Sequence, residues 1–534
     1  MTAPGRRDVR ILVADSIAQA GIDLLRACPG FAVTVKTGLK GEELARALAE
    51  HDALIVRSAT VVTADALKDP GRLRVIGRAG TGVDNIDLNA ATRAGIVVLN
   101  TPGGNSVAAA EHTISLLLAL ARSVPQANAD LRSGRWERKK YVGVEVAGKV
   151  LGIVGLGRIG REVARRAQGL RMEVVGFDPY VSRQATESMG IAFASLDDIL
   201  VRADFVTLHV PLTAETRHLI DGARLARMKP GARILNCARG GLVDESALYD
   251  AIAAGRIAGA GLDVFESEPP TDRRLVEDPR VVATPHLGAS TVEAQERVGT
   301  EIAEKIRDFF ETGVILDAVN FPAMSREDSA AALPLLDLAE RLGRFVAQAV
   351  EGGVRRLEVR GYGEFAERAL EPVVLAATKG LLSPALEGGV SYVNALALAA
   401  QRGIVVEDGR SSEAIHFAGL LRLTVATDRE TLSAAGTLLG AGRPRLVEVD
   451  GVAIEASPAG HLLFARNEDV PGVVGKLGTI LGRARVNIAA IHLGRAAEGG
   501  RAVSLINVDT PVPAPALAEI RALPEILTAR ALEL

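Results

Sequence analysis

At 534 residues, with 48% hydrophobic and 24% charged side chains, the chain has the balance of a globular protein and the length of several domains. Sixty-two Lys and Arg against 65 Asp and Glu leave a net charge of −3, without the basic excess that nucleic-acid binding leaves. The two cysteines, Cys28 and Cys237, exclude a disulfide framework and a cysteine-built zinc site, and no metal is expected.

Aromatics at 3% require cores of Ala, Val, Leu and Ile. Met1–Arg10 lacks the apolar core of a signal peptide, and no apolar run nears the ~18 residues of a membrane span, so a cytoplasmic protein is expected.

The first block, Val9 to Leu99, alternates strands (Val9–Ala14, Ala32–Lys36, Ala53–Arg57) with helices (Ala18–Arg26, Glu42–Glu50), which predicts a mostly parallel, helix-covered sheet. After Asn100-Thr101-Pro102 a long apolar helix, Val107–Ala121, opens a second block. Its strands are predicted at Lys149–Val154, Val174–Asp178, Phe205–His209, Ile234–Cys237, Gly261–Val264 and Val281–Pro285, a doubly wound pattern of its own. A helix at Val292–Phe310 follows the completed sheet and is expected to pack back on the first block.

The third block mixes helices (Ala331–Val350, Phe365–Leu381) with two strands (Leu357–Arg360, Leu421–Thr427) and carries no catalytic motif. Arg443 and Arg445 read there as an anion site or as a solvated turn around Pro444. The last block reads strand, helix, strand, strand, helix, strand from His461 to Leu532, a ferredoxin-like unit. The expected fold is therefore α/β, with domains over 1–102 plus 290–320, 103–289, 321–459 and 460–534.

The strand Lys149–Val154 runs straight into Gly155-Leu-Gly157-Arg158-Ile159-Gly160, which opens a helix. The first glycine permits the turn, the second lets a pyrophosphate approach the backbone, and the third lets helix pack on strand; the helix N-terminus faces the phosphates. Eighteen residues on, Asp178 ends the next strand, where a carboxylate accepts hydrogen bonds from a ribose 2′-OH and repels a 2′-phosphate. NAD is therefore the expected cofactor. Gly80-Thr81-Gly82 reads as a partial decoy of the same motif.

Three ionisable residues follow strand ends: Arg239, Glu268 and His286. Oxidation of a 2-hydroxy acid needs a base for the hydroxyl proton, a carboxylate to orient it and a cation for the substrate carboxylate. A structural histidine and a surface ion pair are the plain alternatives.

The glycine loop with Asp178, Asn236-Cys-Ala-Arg239-Gly-Gly, Asp263-Val-Phe-Glu-Ser-Glu268-Pro-Pro and Pro285-His286-Leu-Gly288 together resemble the D-2-hydroxyacid dehydrogenase family. The resemblance implies a flavodoxin-like substrate domain and a Rossmann NAD domain. It makes Arg239 the anchor, Glu268 the partner of the histidine and His286 the acid/base. It places Thr81, Arg158, Ile159, Cys237, Ala238, Asp263 and Gly288 at the cofactor, with Asp263 at its nicotinamide end.

Arg57 and Arg78 each follow a hydrophobic strand, and two arginines at one cleft suit a phosphate. Arg135-Trp-Glu-Arg138-Lys-Lys reads either as a solvated loop or as a third basic group. These segments are similar to the 3-phosphoglycerate-oxidising branch of that family, whose long form adds an intervening domain and an ACT domain. That likeness assigns Arg57, Arg78 and the backbone N–H groups of the Ala79–Gly82 loop, Ala79 and Gly80 among them, to substrate. It implies that Arg138 reaches a neighbouring subunit, and that the chain forms a homotetramer.

In the last block Asn467-Glu-Asp469-Val-Pro-Gly472 and Asn487 resemble the amino-acid site of an ACT domain. This implies Asn467, Asp469 and Asn487 as contacts for L-serine, an inhibitor; a plain oligomerisation surface is the alternative. Other readings left open are another D-2-hydroxy acid as substrate, a 2-oxoglutarate reductase side activity, and a nucleotide-sensing protein without turnover.

Overall fold

Fully buried runs build the two parallel sheets. Ala53-Leu-Ile-Val56 has every side chain enclosed, as a central strand covered by helices on both faces requires. The computed structural model describes residues 8–386, 389–411, 413, 416–440 and 442–534. Residues 1–7, most of the segment read above for a leader, lie outside the described residues. Among the described residues no single helix is long and apolar enough to cross a membrane.

The first sheet takes the order β2-β1-β3-β4-β5, from β1 (Val9–Val13), β2 (Phe31–Val35), β3 (Ala53–Val56), β4 (Val75–Arg78) and β5 (Val97–Leu99), every pair parallel. This is the flavodoxin-like order. The helix Val292–Glu311 closes one face of it. Where it crosses Gln19–Ala27 the backbones nearly touch: a Cβ on Gly21 would overlap the carbonyl of Gly299. Lys305 of that helix is buried and donates to the carbonyl of Asn100 (2.9 Å) while pairing with Glu301 and Asp317, which ties it to the chain crossing after β5.

The second sheet comprises β6 (Val150–Val154), β7 (Glu173–Phe177), β8 (Ala192–Phe193), β9 (Phe205–Leu208), β10 (Ala232–Asn236), β11 (Ile257–Leu262) and β12 (Val281–Ala283). Its order, β12-β11-β10-β9-β6-β7-β8, reverses direction at β6, so a crevice opens at the carboxyl ends of β6 and β9. The apolar helix Ser106–Arg122 is buried against this sheet and the helix Arg158–Gly169.

The third block departs from expectation. Its sheet has six strands: β13 (Val354–Gly363), β14 (Val405–Ser411), β15 (Gly419–Thr427), β16 (Thr431–Leu439), β17 (Arg443–Val449) and β18 (Val452–Ala456). The expected helix Phe365–Leu381 is two, Glu364–Glu367 and Glu371–Leu382, with Pro372 starting the second. β16 hides as Thr-Leu-Ser-Ala-Ala-Gly-Thr-Leu-Leu, a strand of small residues. The β17–β18 turn carries its own signal, Asp450-Gly451, both at positive φ.

The last sheet, β20-β21-β19-β22, joins β19 (His461–Glu468), β20 (Ile488–Arg495), β21 (Arg501–Val508) and β22 (Ile526–Glu533) in the ferredoxin-like order. One helix, Arg326–Ala349, packs against both this sheet and the third, and Phe345 meets Phe464 edge-on at 5.5 Å. Each of these fully buried rings contributes about 1.5–3 kcal/mol.

Candidate active site

The glycine loop after β6 is shaped for a phosphate. Gly155 has φ +98°, and a Cβ there would strike the carbonyl of His209; one on Gly160 would strike the carbonyl of Gly155. Gly157 caps the helix Arg158–Gly169 without a side chain, and nothing lies within 4 Å of where its Cβ would stand. The unbonded N–H groups of the first turn are therefore open to an anion. Asp178, just past β7, accepts from Leu156 N (2.8 Å) through Oδ2 and from Tyr180 N (2.8 Å) through Oδ1, which pins the carboxylate against the loop. A dinucleotide fits these residues.

Sequence reasoning missed His209, which follows β9 at the same crevice. Burial holds its ring neutral, with a pKa pulled down to about 4, and its Nδ1 has no partner among the described residues. Cys237 is buried too, and its thiol is pushed up to about 12 by that burial, so it is an inert small residue.

His286 and Glu268 meet as a pair: the ring Nδ1 lies 2.8 Å from Oε2 of Glu268. The hydrogen bond to Glu268 raises the histidine above its ordinary value, against the cost of burial. Burial alone would raise Glu268; the hydrogen bond and charge of His286 outweigh it and hold the carboxyl low. His286 Nε2 has no protein partner among the described residues. A cavity of about 420 Å³ lined by Phe265, Pro269 and Pro285 opens beside the pair.

The backbone of His286 is left-handed (φ +54°), a costly conformation for a residue with a Cβ. Asp263 holds it there. Its carbonyl accepts from His286 N (2.8 Å), while its carboxylate accepts from Leu287 N (2.7 Å) and Gly288 N (2.8 Å), Thr284 Oγ1 (2.6 Å) and His112 Nε2 (3.2 Å). Asp263, expected at the nicotinamide end, is fully buried and its carboxylate organises the loop carrying His286, with Oδ2 accepting from Gly288 N alone among the described residues. His112, unread in the sequence because it sits inside an apolar helical run, completes this network.

Across the crevice three guanidiniums converge. Arg57 and Arg78 leave the ends of β3 and β4, and Arg239 follows β10. Arg78 is mostly buried, its Nε has no partner among the described residues, and burial together with the charges of Arg239 and Arg57 lowers its pKa to about 10. Buried Asp15 holds the Arg57 loop by accepting from Arg57 N (2.7 Å) and Thr60 N (3.1 Å). Gly80 and Gly82 lie outside the dinucleotide loop, as expected, and instead make room for two guanidiniums. A Cβ on Gly80 would overlap the guanidinium of Arg78, and one on Gly82 that of Arg239.

The N–H groups of the Ala79–Gly82 loop, expected at the substrate, divide into two sets. Ala79 N donates to the carbonyl of Val56 (2.8 Å) and Gly80 N to that of Arg78 (2.9 Å). The open donors of this loop are the N–H groups of Thr81 and Gly82, while the Thr81 hydroxyl is held by Asn105 (2.8 Å).

Residues 114–288 match the model of the D-isomer specific 2-hydroxyacid dehydrogenase NAD-binding domain, 332–450 that of the D-3-phosphoglycerate dehydrogenase intervening domain, and 461–525 that of the ACT domain. A D-3-phosphoglycerate dehydrogenase of Synechocystis is 44% identical over 96% of this chain and 92% of its own length. One from Bacillus subtilis is 38% identical over 98% and 99%. The chain belongs to the D-3-phosphoglycerate dehydrogenase family.

Solved structures align with somewhat more than half of this chain. A glyoxylate reductase from Paecilomyes thermophila covers 59% of this chain and 98% of its own (TM-score 0.53, 32% identity). A D-lactate dehydrogenase from Aquifex aeolicus, complexed with NAD and lactic acid, covers 59% and all of its own (0.53, 27%). The second sheet is thus an NAD-binding domain.

Two segments that the family likeness assigns sit apart from this cleft. In the arm, Asp130 takes Arg135, Lys140 (2.9 Å) and the Tyr141 hydroxyl, while Arg138 and Lys139 have no ion-pair partner among the described residues; Trp136 and Val142 are 73% and 86% exposed.

The ACT residues do not form one site in one chain. Asn467 is buried and donates to the carbonyl of Glu468 (2.8 Å) while accepting from Ser504 (2.8 Å), so both ends of its amide are engaged within its own domain. Asp469 stands at the end where Glu468 pairs with Arg501. Asn487 precedes Ile488, which pairs with Val508 at the other end of β21. At about 3.4 Å per residue these ends are ~24 Å apart, so a single serine cannot touch both residues of one chain. Asp469 meanwhile accepts from Gly499 N (3.1 Å) and Arg495 (3.2 Å), which keep it ionised.

Proposed function

We propose that this chain oxidises 3-phospho-D-glycerate to 3-phosphohydroxypyruvate with NAD, the first oxidation on the phosphorylated route to L-serine. One observation carries this reading: buried Arg78, with an unpartnered guanidinium nitrogen, faces the same crevice as Arg57, Arg239 and His286. A buried cation with no carboxylate in direct contact and two arginines beside it is costly unless a ligand supplies the charge, and a phosphate carries the required charge and acceptors.

Arg239 and the N–H groups of Thr81 and Gly82 hold the substrate carboxylate and C2 oxygen, and Arg57 and Arg78 hold the phosphate. His286 Nε2 takes the C2 hydroxyl proton, and Glu268 stabilises the ring once it is charged. The glycine loop and Asp178 hold NAD, which when bound accepts the hydride from C2.

The decisive assay is NADH oxidation with 3-phosphohydroxypyruvate against unphosphorylated hydroxypyruvate, with and without L-serine. We expect kcat/KM to favour the phosphorylated ketoacid by about 10²-fold or more, as loss of a buried charged partner implies. Equal rates would overturn the substrate assignment and leave another 2-hydroxy acid. Weak turnover of 2-oxoglutarate fits the same cleft, because its distal carboxylate takes the phosphate position.

Asp178→Ser is expected to lower kcat/KM for NAD about 10- to 100-fold, the value of hydrogen bonds to a charged acceptor, and to admit NADP. An unchanged cofactor preference would remove Asp178 from the ribose site.

We further propose L-serine as the effector, bound between two copies so that Asp469 of one chain and Asn487 of another meet, within a homotetramer that the exposed arm helps to build. Serine inhibition that vanishes in Asp469→Ala, with the assembly mass retained in sedimentation, is the expected result. Serine-insensitive wild-type enzyme would leave this domain a structural one.

A further inference from the structure

Asp84 is a carboxylate at the positive crevice that the mechanism does not use. Asp84 lies in the loop after β4, on the substrate-domain side, and its Oδ2 accepts from Nε of Arg239 at 2.7 Å, on the NAD-domain side. The pair therefore spans the cleft. Among the described residues no other carboxylate pairs with Arg57, Arg78 or Arg239.

The rest of the Arg239 guanidinium is also committed in a telling way. Nη1 donates to the carbonyl of Ala238 (2.7 Å), and Nη2 rests against Gly82, whose missing side chain leaves it room. The Nε edge, one of the two edges on which a carboxylate can dock with two parallel bonds, is the edge that Asp84 holds.

We propose that Asp84 is an internal competitor for the substrate carboxylate: it neutralises Arg239 in the substrate-free cleft and gives up the Nε edge when substrate binds. The inference rests on the anchor role given to Arg239 above. Its chemistry is ordinary exchange of one carboxylate for another on a guanidinium. Three arginines against Asp84 and Asp15 leave a residual positive charge that still draws in a trianionic substrate. The side chain of Asp84 is 64% exposed, so it can swing into solvent at little cost. Affinity for substrate is thereby set below what three free arginines would give, which favours product release.

The test is Asp84→Asn in the full-length enzyme. KM for 3-phosphohydroxypyruvate is expected to fall about three- to ten-fold, without a fall in kcat and with a steeper loss of affinity as salt is raised. Binding of oxalate to the NADH complex, followed by NADH fluorescence, is expected to tighten by a similar factor. Oxalate needs no phosphate site, so this arm reads Asp84 even if wild-type enzyme shows no preference for the phosphorylated substrate and the proposed function itself fails. A raised KM with lowered kcat would overturn the proposal and make Asp84 a residue that positions Arg239. Unchanged oxalate binding would overturn it as well. Should Asp84→Asn not fold, Asp84→Ser removes the same charge and is judged by the same two readouts.

Discussion

His286→Ala is expected to lower kcat about 10²- to 10⁴-fold, the range for loss of a positioned acid/base, while NADH still binds. Retained turnover would place proton transfer elsewhere. The pH profile tests the same residue through its partner. Ketoacid reduction needs the protonated ring, and Glu268 raises the pKa of that ring, so reductive activity should persist near neutrality and fall as pH rises through the raised value.

In Glu268→Gln the ring loses its charged partner and the alkaline limb moves to lower pH. An unmoved limb would assign it to another group. The pair also contributes to stability. The histidine part is full below the ordinary value of 6.5 and is lost as pH rises through the raised one; the Glu268 part is full above 4.5 and is lost as pH falls through the lowered one. Its contribution is greatest between those two ordinary values.

Arg78→Ala should separate function from stability. Losing a buried cation that faces the substrate phosphate is expected to cost about 10²- to 10³-fold in kcat/KM for 3-phosphohydroxypyruvate, with hydroxypyruvate little affected. The same change removes a desolvated charge whose neighbours are two more arginines. The melting temperature of the apo enzyme should therefore hold or rise, although a cavity is left behind. A drop of several degrees, or an equal loss on both substrates, would show Arg78 to be structural.

Most of the parallel architecture was legible because its signals are local. Runs such as Ala53–Val56 bury every residue, and Gly155–Gly160 between strand and helix shapes its turn from its own glycines. Arg239, Glu268 and His286 were legible for a related reason: each stands just past a strand of one sheet, where the fold brings strand ends together. The third sheet was less legible. β16 has no β-branched alternation to betray it, and it is a strand because β15 and β17 flank it.

The amino-acid sequence by itself determined the two doubly wound sheets, the dinucleotide loop, the family and the residues of the acid/base pair, since these follow from periodicity and short motifs. Tertiary structure alone decided what each polar group is free to do. It spent Asp263 on the His286 loop, the N–H groups of Ala79 and Gly80 on backbone carbonyls, and Asn467 on its own sheet; it also set Asp469 and Asn487 at opposite ends of a strand. A hydrogen bond is satisfied by whatever partner packing brings within 3 Å, and that partner is often far away in the chain.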